Sequence, residues 1–322
     1  MTSLKFSAGL WIYGIVPDRY LPTGYKTSYS LEEKLKKAKE TSGIQAIELP
    51  YGPILTLDNL EQIKNTISNV RLSISSLTVN IVGDKKWAKG SISNPDLEVR
   101  EQAKQIIKDA MVAAKKLDVK TVNLWMGQEG FDYPFEADYS NLWKLIQNGL
   151  TECAQSEPDV QLCIEYKRME PRARNIPGSA SQALLLAMNS GCSNLKVTLD
   201  FGHAILGGEN PSQSLCLLSD HDKFGNLHIN DNYADWDWDM AAGVNHWWQL
   251  VEFCYHLQEI NFDGYIVLDI FPYRQEAIQA SELSIRAFRK AWKTAEKLDR
   301  RMIAEAQENQ DALAIYHHLF EE

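Results

Sequence analysis

The sequence predicts a (β/α)8 barrel of the TIM type, and two observations support this prediction. Eight strand-like runs alternate with helical patterns along the 322 residues, and no linker rich in Gly, Ser or Pro divides them. Such alternation is typical of parallel strands joined by helical crossovers. Acidic or imidazole side chains also follow the last four predicted strands, where a barrel carries its reactive groups. We therefore expect a single-domain barrel over residues 1–298 and a C-terminal helical tail over residues 299–322.

The predicted elements follow one another in order from residue 6. The first four strands are predicted at residues 6–14, 44–49, 72–80 and 121–125. The fifth, sixth and seventh strands begin at residues 160, 197 and 227, and the eighth covers 264–270. Helices are predicted at residues 31–41, 58–68, 95–117, 139–155, 181–189, 212–218, 244–258 and 276–298. Ser30 precedes the first helix and Glu33 lies in its first turn, which predicts an N-terminal cap.

Composition predicts a cytoplasmic protein with a large core. The hydrophobic content of 44% is enough for a large core, and the net charge of −10 argues against general nucleic-acid binding. The five Cys residues include no Cys-x-x-Cys pair, which indicates reduced thiols in a reducing compartment. No signal-peptide pattern opens the chain, and no apolar run approaches the roughly 20 residues that span a membrane. We therefore expect no membrane partner and a cytoplasmic location.

The ends of the last four predicted strands carry Glu165, Asp200, His228 and Asp269. A single acidic residue after a strand is usually a helix cap or part of a solvated turn. Four such groups at successive strand ends favour a metal site instead, because the carboxyl ends of barrel strands converge. Carboxylate and imidazole ligands suit Mn²⁺, Co²⁺ or Mg²⁺ better than metals that prefer thiolates.

A second set of metal-ligand types lies just beyond these strands. Asp200-x-x-His203 places a carboxylate and an imidazole one turn apart, and Asp235, Asp237 and Asp239 alternate after the seventh strand. In extended backbone, this alternation would point all three carboxylates the same way. A solvated acidic loop is the alternative interpretation. As ligands, Asp200, His203, Asp237 and Asp239 would hold a second ion that shares Asp200 with the first, so the sequence leaves one or two ions open.

Three motifs resemble those of the xylose-isomerase-like barrels. These motifs are the Lys5-Phe6-Ser7-Ala8-Gly9-Leu10-Trp11 opening strand, Leu124-Trp125-Met126-Gly127-Gln128-Glu129-Gly130, and Glu165-Tyr166-Lys167-Arg168-Met169-Glu170-Pro171-Arg172. The resemblance covers residues 5–298. It departs from xylose isomerases at Asp200 and His228, and there the ligand pattern is closer to that of L-rhamnose isomerases. The ring-opening His that xylose isomerases carry after strand two is replaced here by Glu48-Leu49-Pro50-Tyr51.

The resemblance implies roles for several residues. Trp11 and Trp125 would form apolar walls against the sugar carbons, and Lys167 would contact the O1 atom of the substrate. Glu48 is a candidate substrate contact, with a solvated strand end as the alternative. The tail after residue 298 is shorter than the oligomerising arm of xylose isomerases, and a homo-oligomer remains compatible with the sequence.

These observations lead to an expected function as an aldose–ketose isomerase acting on an open-chain monosaccharide. Divalent metal would assist a hydride shift between C2 and C1, and a water held by Asp237 or Asp239 would move the proton between O1 and O2. The residues expected to take part in catalysis are Lys167, Asp237, Glu165 and His203. One alternative is a one-metal ketose 3-epimerase or inosose dehydratase that shuttles a proton through Glu165. Another is a barrel that binds a carbohydrate or a partner protein without turnover.

Overall fold

Eight parallel strands form a closed barrel, which confirms the predicted fold class. The structure, a computed structural model, describes residues 4–79 and 81–321. The barrel strands are β1 (Lys5–Gly9), β2 (Ile44–Tyr51), β3 (Ser73–Val79), β4 (Thr121–Trp125), β6 (Gln161–Glu165), β9 (Leu195–Asp200), β10 (Phe224–Ile229) and β11 (Tyr265–Leu268). They pair in the closed order β1-β11-β10-β9-β6-β4-β3-β2. A small antiparallel sheet stands apart and contains β5 (Gly130–Phe131), β7 (Met169–Glu170) and β8 (Ala173–Asn175).

Helices connect the strands and cover the outside of the barrel. They are α1 (Leu31–Glu40), α2 (Leu60–Asn69), α3 (Leu97–Lys116), α4 (Tyr139–Ser156), α5 (Ala180–Asn189), α6 (Phe201–Gly207), α7 (Pro211–Asp220), α8 (Trp247–Glu259), α9 (Ala277–Lys297), α10 (Arg300–Asn309) and α11 (Ala312–Glu321). The predicted cap of the first helix is confirmed. The Glu33 amide donates to Ser30 Oγ at 3.2 Å, and the Ser30 amide donates to Glu33 Oε2 at 2.7 Å.

One predicted strand was wrong in its bounds, and another ends on a residue that the structure does not describe. The first predicted strand ran to residue 14, but β1 ends at Gly9 and residues Leu10–Tyr13 form a 3-10 helix. Where the chain turns, the Trp11 ring folds back over Gly9, and an added Cβ there would lie 2.3 Å from the ring. The third predicted strand ended at Asn80, which lies outside the described residues.

Helix α6 was not predicted and has a direct effect on the site. It begins immediately after β9, because Asp200 ends the strand and also caps the helix through the His203 amide at 2.7 Å. The strand and the helix therefore share one residue. Asp200 and His203 are placed in fixed relation to each other by this junction rather than by a flexible loop.

Residues after α9 form two further helices on the outer wall of the barrel. The rings of Tyr316 and Phe320 on α11 pack edge-on against Trp248 of α8, with centroid distances of 5.7 and 5.3 Å. Helix α11 therefore packs against the barrel. The division of the chain at residue 298 stays a prediction. Within the part of the chain that the structure describes, no helix is both long and apolar enough to cross a membrane.

Candidate active site at the carboxyl ends of the strands

One group of side chains at the strand ends has the composition of a metal site. We call it the strand-end cluster. Glu165 ends β6, Asp200 ends β9, His228 lies one residue before the end of β10, and Asp269 follows β11. One ligand atom from each of the four residues lies within 4.8 Å of all the others. Among the described residues, His, Asp and Glu side chains cluster in this group. Its members are the four strand-end residues singled out in the sequence.

His228 links the carboxylates of the strand-end cluster. Its Nδ1 atom lies 3.2 Å from Glu165 Oε1 and 3.2 Å from Asp269 Oδ2. On the other side of the ring, Nε2 lies 3.1 Å from Glu48 Oε2, and Ser76 Oγ donates a short hydrogen bond to the same oxygen. Glu48 is fully buried. Its Oε2 therefore lies against His228, which excludes the alternative of a solvated strand end, and the substrate contact of Glu48 stays a prediction.

Buried polar side chains hold the outer carboxylate oxygens of the cluster. Asn123 Nδ2 donates to Glu165 Oε2 at 2.7 Å, and Thr198 Oγ1 donates to Asn123 Oδ1 at 2.6 Å. Trp11 Nε1 donates to Asp269 Oδ1 at 2.7 Å. Sequence reasoning missed Asn123 and Thr198. The available signal was a polar residue inside an otherwise apolar strand, since both residues are flanked by Val and Leu on buried strands.

Asp200 is held from two directions. Its Oδ1 accepts from the His203 amide, and its Oδ2 accepts from Asn230 Nδ2 at 2.9 Å. Asn230 directly follows β10, two residues after His228. The structure gives each a separate place, with His228 in the cluster and Asn230 behind Asp200.

A second group of charged side chains lies next to the strand-end cluster, and we call it the Lys–Asp–His group. It consists of Lys167, Asp237 and His203. Asp237 Oδ2 lies 2.7 Å from Lys167 Nζ and 3.1 Å from His203 Nε2. The other ring nitrogen of His203 lies 3.0 Å from the Tyr166 carbonyl oxygen and 3.5 Å from Glu165 Oε1. Lys167 also pairs with Glu170 through a short contact.

The prediction that all three aspartates after β10 point the same way was wrong at Asp235. Asp237 is buried in the Lys–Asp–His group, whereas Asp235 is exposed and accepts from Trp238 Nε1 at 2.7 Å. The reason is a bend over residues 234–236 and positive φ angles of 63° at Ala234 and 47° at Asp239. Side-chain alternation requires extended backbone, which this loop does not have. Asp239 is partly buried.

Two tryptophans flank these groups. The ring of Trp125 lies 5.3 Å from Lys167 Nζ, a cation–π arrangement, and Trp11 contacts Asp269. Each ring lies against a glycine, since an added Cβ at Gly9 or Gly127 would come within 2.3 or 2.4 Å of the ring atoms. Any side chain at either glycine would displace the ring beside it. Both rings therefore lie beside these groups, and their contact with sugar carbons stays a prediction.

The electrostatics of the strand-end cluster suit a divalent cation. Burial, together with the neighbouring Glu165 and Asp269 carboxylates, raises the pKa of Asp200 to about 7 against the opposing effect of His203. Burial also raises the pKa of Glu165, but the nearby His228 and His203 outweigh it and bring the pKa to about 2. Three carboxylates therefore share one buried site, and burial first and carboxylate neighbours second favour the protonated form of Asp200. The oxygen and imidazole donors present fit a hard divalent ion.

In the Lys–Asp–His group, positive charge balances negative charge. Burial alone would raise the pKa of Asp237, but Lys167 and His203 hold that pKa well below its usual range. Burial opposes a charge on Lys167 too, yet Asp237 and Glu170 raise its pKa. Asp237 Oδ1 is buried and makes no hydrogen bond in the structure. This oxygen is the acceptor that the group offers to a bound molecule.

Comparison with curated proteins gives partial matches to xylose isomerases. The xylose isomerase of Rhizobium etli (strain CIAT 652) is 24% identical over 185 residues, which are 56% of this chain and 42% of that protein. The xylose isomerase of Brucella canis is 26% identical over 173 residues, which are 52% of this chain and 40% of that protein. The matched segment thus spans less than half the length of these relatives.

Solved structures share the fold over most of the chain. A structure described as L-ribulose 3-epimerase superposes with a TM-score of 0.70 and 14% identity, covering 91% of this chain and 96% of that one. A D-tagatose 3-epimerase-like protein superposes with a TM-score of 0.67 and 17% identity, covering 89% and 98%. The family model of the xylose isomerase-like TIM barrels matches residues 35–298. That match covers most of the chain, and this protein belongs to the family of xylose isomerase-like TIM barrels.

Proposed function

We propose that this protein is a divalent-metal-dependent aldose–ketose isomerase that acts on an open-chain monosaccharide. The observation that carries the proposal is the contact between the strand-end cluster and the Lys–Asp–His group, where Glu165 Oε1 and His203 Nδ1 are 3.5 Å apart. A group suited to a cation thus lies next to a group suited to hold and move a proton. Isomerisation of a hydroxy-carbonyl pair requires both functions at adjacent substrate atoms.

The strand-end cluster would hold the ion through Glu165, Asp200, His228 and Asp269. A bound divalent ion would supply polarisation of the neighbouring substrate oxygens. Glu48 accepts from the Nε2 side of His228, which leaves Nδ1 facing the carboxylates. A carboxylate behind a ligating imidazole fixes the orientation of the ring and the position of its proton. We assign Glu48 this positioning role in place of a substrate contact.

The Lys–Asp–His group would handle the proton that moves between the O1 and O2 atoms of the sugar. The free Oδ1 of Asp237 can accept a hydrogen bond from a hydroxyl, while its Oδ2 stays paired with Lys167 and His203. Lys167 keeps its charge at neutral pH and can donate to a substrate oxygen. The Trp125 ring beside Lys167 provides an apolar face for the sugar carbons and limits the access of water.

The carbon-bound hydrogen would pass between C2 and C1 as hydride, because the carboxylates near the cluster are poorly placed as carbon bases. Glu165 has one oxygen held by Asn123, and Asp269 has one oxygen held by Trp11. Their remaining oxygens, 3.2 Å from His228 Nδ1, are the ones that would bind the ion. A carboxylate engaged on both oxygens is a weaker base than a free one.

A panel of pentoses and hexoses tests this proposal. The protein is stripped with a chelator, reloaded separately with Mn²⁺, Co²⁺ or Mg²⁺, and incubated with each sugar, and the products are separated by chromatography. We expect an aldose–ketose pair to interconvert in at least one reloaded sample and none to do so in the chelated sample. Full activity in the metal-free protein would overturn the proposal.

A one-metal ketose 3-epimerase is the second candidate, and two observations favour it. Solved structures described as L-ribulose 3-epimerase and D-tagatose 3-epimerase-like protein share the fold over about nine-tenths of the chain. In addition, Glu165 and Asp269 lie at equal distances of 3.2 Å from His228 Nδ1, so two carboxylates border one centre. In this candidate they would remove and return a proton at C3.

Reaction in D₂O separates the two candidates. Proton removal from carbon exposes the proton to solvent, whereas a direct hydride shift keeps the original hydrogen. With whichever sugar turns over, we expect little or no deuterium at C1 or C2 of the product by NMR. Near-stoichiometric deuterium at C3 of a ketose would instead identify the epimerase, and deuterium at C1 or C2 would exclude the hydride route.

A further inference from the structure

A cavity of about 280 Å³ lies at the rim of the barrel, and no residue of the strand-end cluster or of the Lys–Asp–His group lines it. We call it the rim cavity. Phe131 and Arg174, which pair across β5 and β8, lie on one side of it. Residues near the beginnings of α4 and α5 lie on the other side, including Tyr139 and Gln182. The barrel reaction proposed above has no use for this cavity.

Two arginines on the rim cavity have no acidic partner within the described part of the chain. Among the described residues, the guanidinium groups of Arg168 and Arg174 form no ion pair, although the chain carries a net charge of −10. Arg172, which lies between them on the same hairpin, does pair with Asp132 at 3.5 Å. Both side chains are exposed where they line the cavity, and a bound anion can pair with a guanidinium group there. The planar guanidinium fork matches phosphate and carboxylate oxygens.

The remaining lining of the rim cavity suits a sugar ring. The Phe131 and Tyr139 rings lie with their centroids 4.9 Å apart, and Trp143 also lines the cavity. Aromatic faces of this kind pack well against the C–H groups of a carbohydrate. Asn175 is 7% exposed, and its Oδ1 atom is buried and has no hydrogen-bond partner among residues 4–79 and 81–321. Buried polar atoms are normally hydrogen-bonded, and a ligand hydroxyl can supply the hydrogen bond that this atom lacks.

We propose that the rim cavity binds a monosaccharide-sized ligand that carries an anionic group, either a phosphate or a carboxylate. The anion would lie between Arg168 and Arg174, and the sugar ring would lie against Phe131 and Tyr139. Asn175 Oδ1 would accept from a hydroxyl. The volume is just below the roughly 300–1,000 Å³ of sites for drug-sized ligands, which favours one sugar unit over an oligosaccharide. This site is separate from the proposed reaction and does not depend on it.

Calorimetric titration of the metal-loaded, full-length protein tests the proposal. The probes are glucose 6-phosphate, glucuronate, glucose and inorganic phosphate. We expect at least one of the two anionic sugars to bind roughly tenfold or more tightly than both glucose and inorganic phosphate, since charge-assisted hydrogen bonds are stronger than neutral ones. Preference for glucose 6-phosphate or for glucuronate identifies the anionic group. Equal binding of glucose would remove the role of charge, and equal binding of inorganic phosphate would remove the role of the sugar.

Arginine variants locate the binding. Arg168→Gln and Arg174→Gln should each weaken the anionic sugar roughly tenfold or more, because each removes a charged donor. Arg172→Gln is the matched control, since it lies on the same hairpin with its own partner, and it should bind as the wild type does. Unchanged affinity in both Arg168→Gln and Arg174→Gln would overturn the proposal. Turnover of neutral sugars should be the same in all three variants, so this result is independent of the proposed reaction.

Discussion

The strand-end cluster and the Lys–Asp–His group touch each other but are built in different ways. The cluster takes its residues from strand ends, where the sheet fixes them, and it places three carboxylates around one imidazole. The Lys–Asp–His group takes its residues from the loop after β6, from α6 and from the loop after β10, and it pairs one carboxylate with two cationic side chains. Negative charge is in excess in the first group and balanced in the second.

That difference assigns the two groups different tasks. Excess negative charge on rigid elements suits an ion whose position must not change, and the raised pKa of Asp200, caused by burial and by its carboxylate neighbours, reflects this excess. Balanced charge with one free oxygen, Asp237 Oδ1, suits the transfer of a proton. Variants that remove one task and keep the other would therefore show whether the division is real.

The largest effect is expected from Glu165→Gln. This change removes the charge of Glu165 but keeps the shape of the side chain. Metal affinity should therefore fall by more than the roughly 10–100-fold that is typical when a residue behind a metal ligand is changed. Metal content after dialysis, together with Mn²⁺ titration, measures the loss. Glu170→Gln is the control, because Glu170 pairs with Lys167 and lies outside the cluster. Retention of a full complement of metal by Glu165→Gln would break the assignment of the ion to the cluster.

His203→Asn should show the opposite pattern. The first ion should stay bound while turnover falls by roughly 10²–10⁴-fold, the usual size of a proton-transfer contribution. Asp237→Asn should behave in the same way, because the two side chains share one contact. Asp235→Asn, an exposed position in the same loop, serves as the control and should keep wild-type turnover. Near-normal turnover in both His203→Asn and Asp237→Asn would favour the one-metal epimerase.

A smaller effect is expected from Glu48→Gln. Loss of the charge behind His228 should weaken metal binding about 10–100-fold, while turnover at saturating metal stays close to that of the wild type. Measurement of turnover against metal concentration separates the two quantities. Ser76→Ala removes only the hydroxyl that supports Glu48 and should give a weaker version of the same change. A rise in the KM for sugar with no change in metal affinity would instead restore the substrate-contact role of Glu48.

The smallest effect is expected from Trp11→Phe. This change keeps an aromatic face but removes the hydrogen bond to Asp269 Oδ1, so metal binding should weaken by about 1 kcal/mol, or several-fold. Trp125→Phe is the matched comparison, because Trp125 Nε1 has no hydrogen-bond partner in the part of the chain that the structure describes. Metal titration of both variants should therefore show a change only for Trp11→Phe. Equal losses would mean that the rings act through packing alone.

Much of the fold and part of the site could be predicted from the sequence. The period of the apolar runs gave the order of strands and helices, and a parallel barrel brings the carboxyl ends of its strands to one face. The meeting of Glu165, Asp200, His228 and Asp269 follows from those two facts. Prediction failed where the backbone leaves a regular period, as at Asp235, because alternation holds only in extended chain.

The sequence by itself determined which side chains stand at the strand ends, because strand position along the chain fixes strand position around a barrel. Only the tertiary structure decided what lies behind and beside them. Glu48 approaches His228 across 180 positions of sequence, and Lys167 meets Asp237 from a different loop. Contacts of this kind depend on strand register and loop path, and residue types and spacing do not encode either one locally. The tertiary structure also decided that Arg172 pairs with Asp132, whereas Arg168 and Arg174 line the rim cavity.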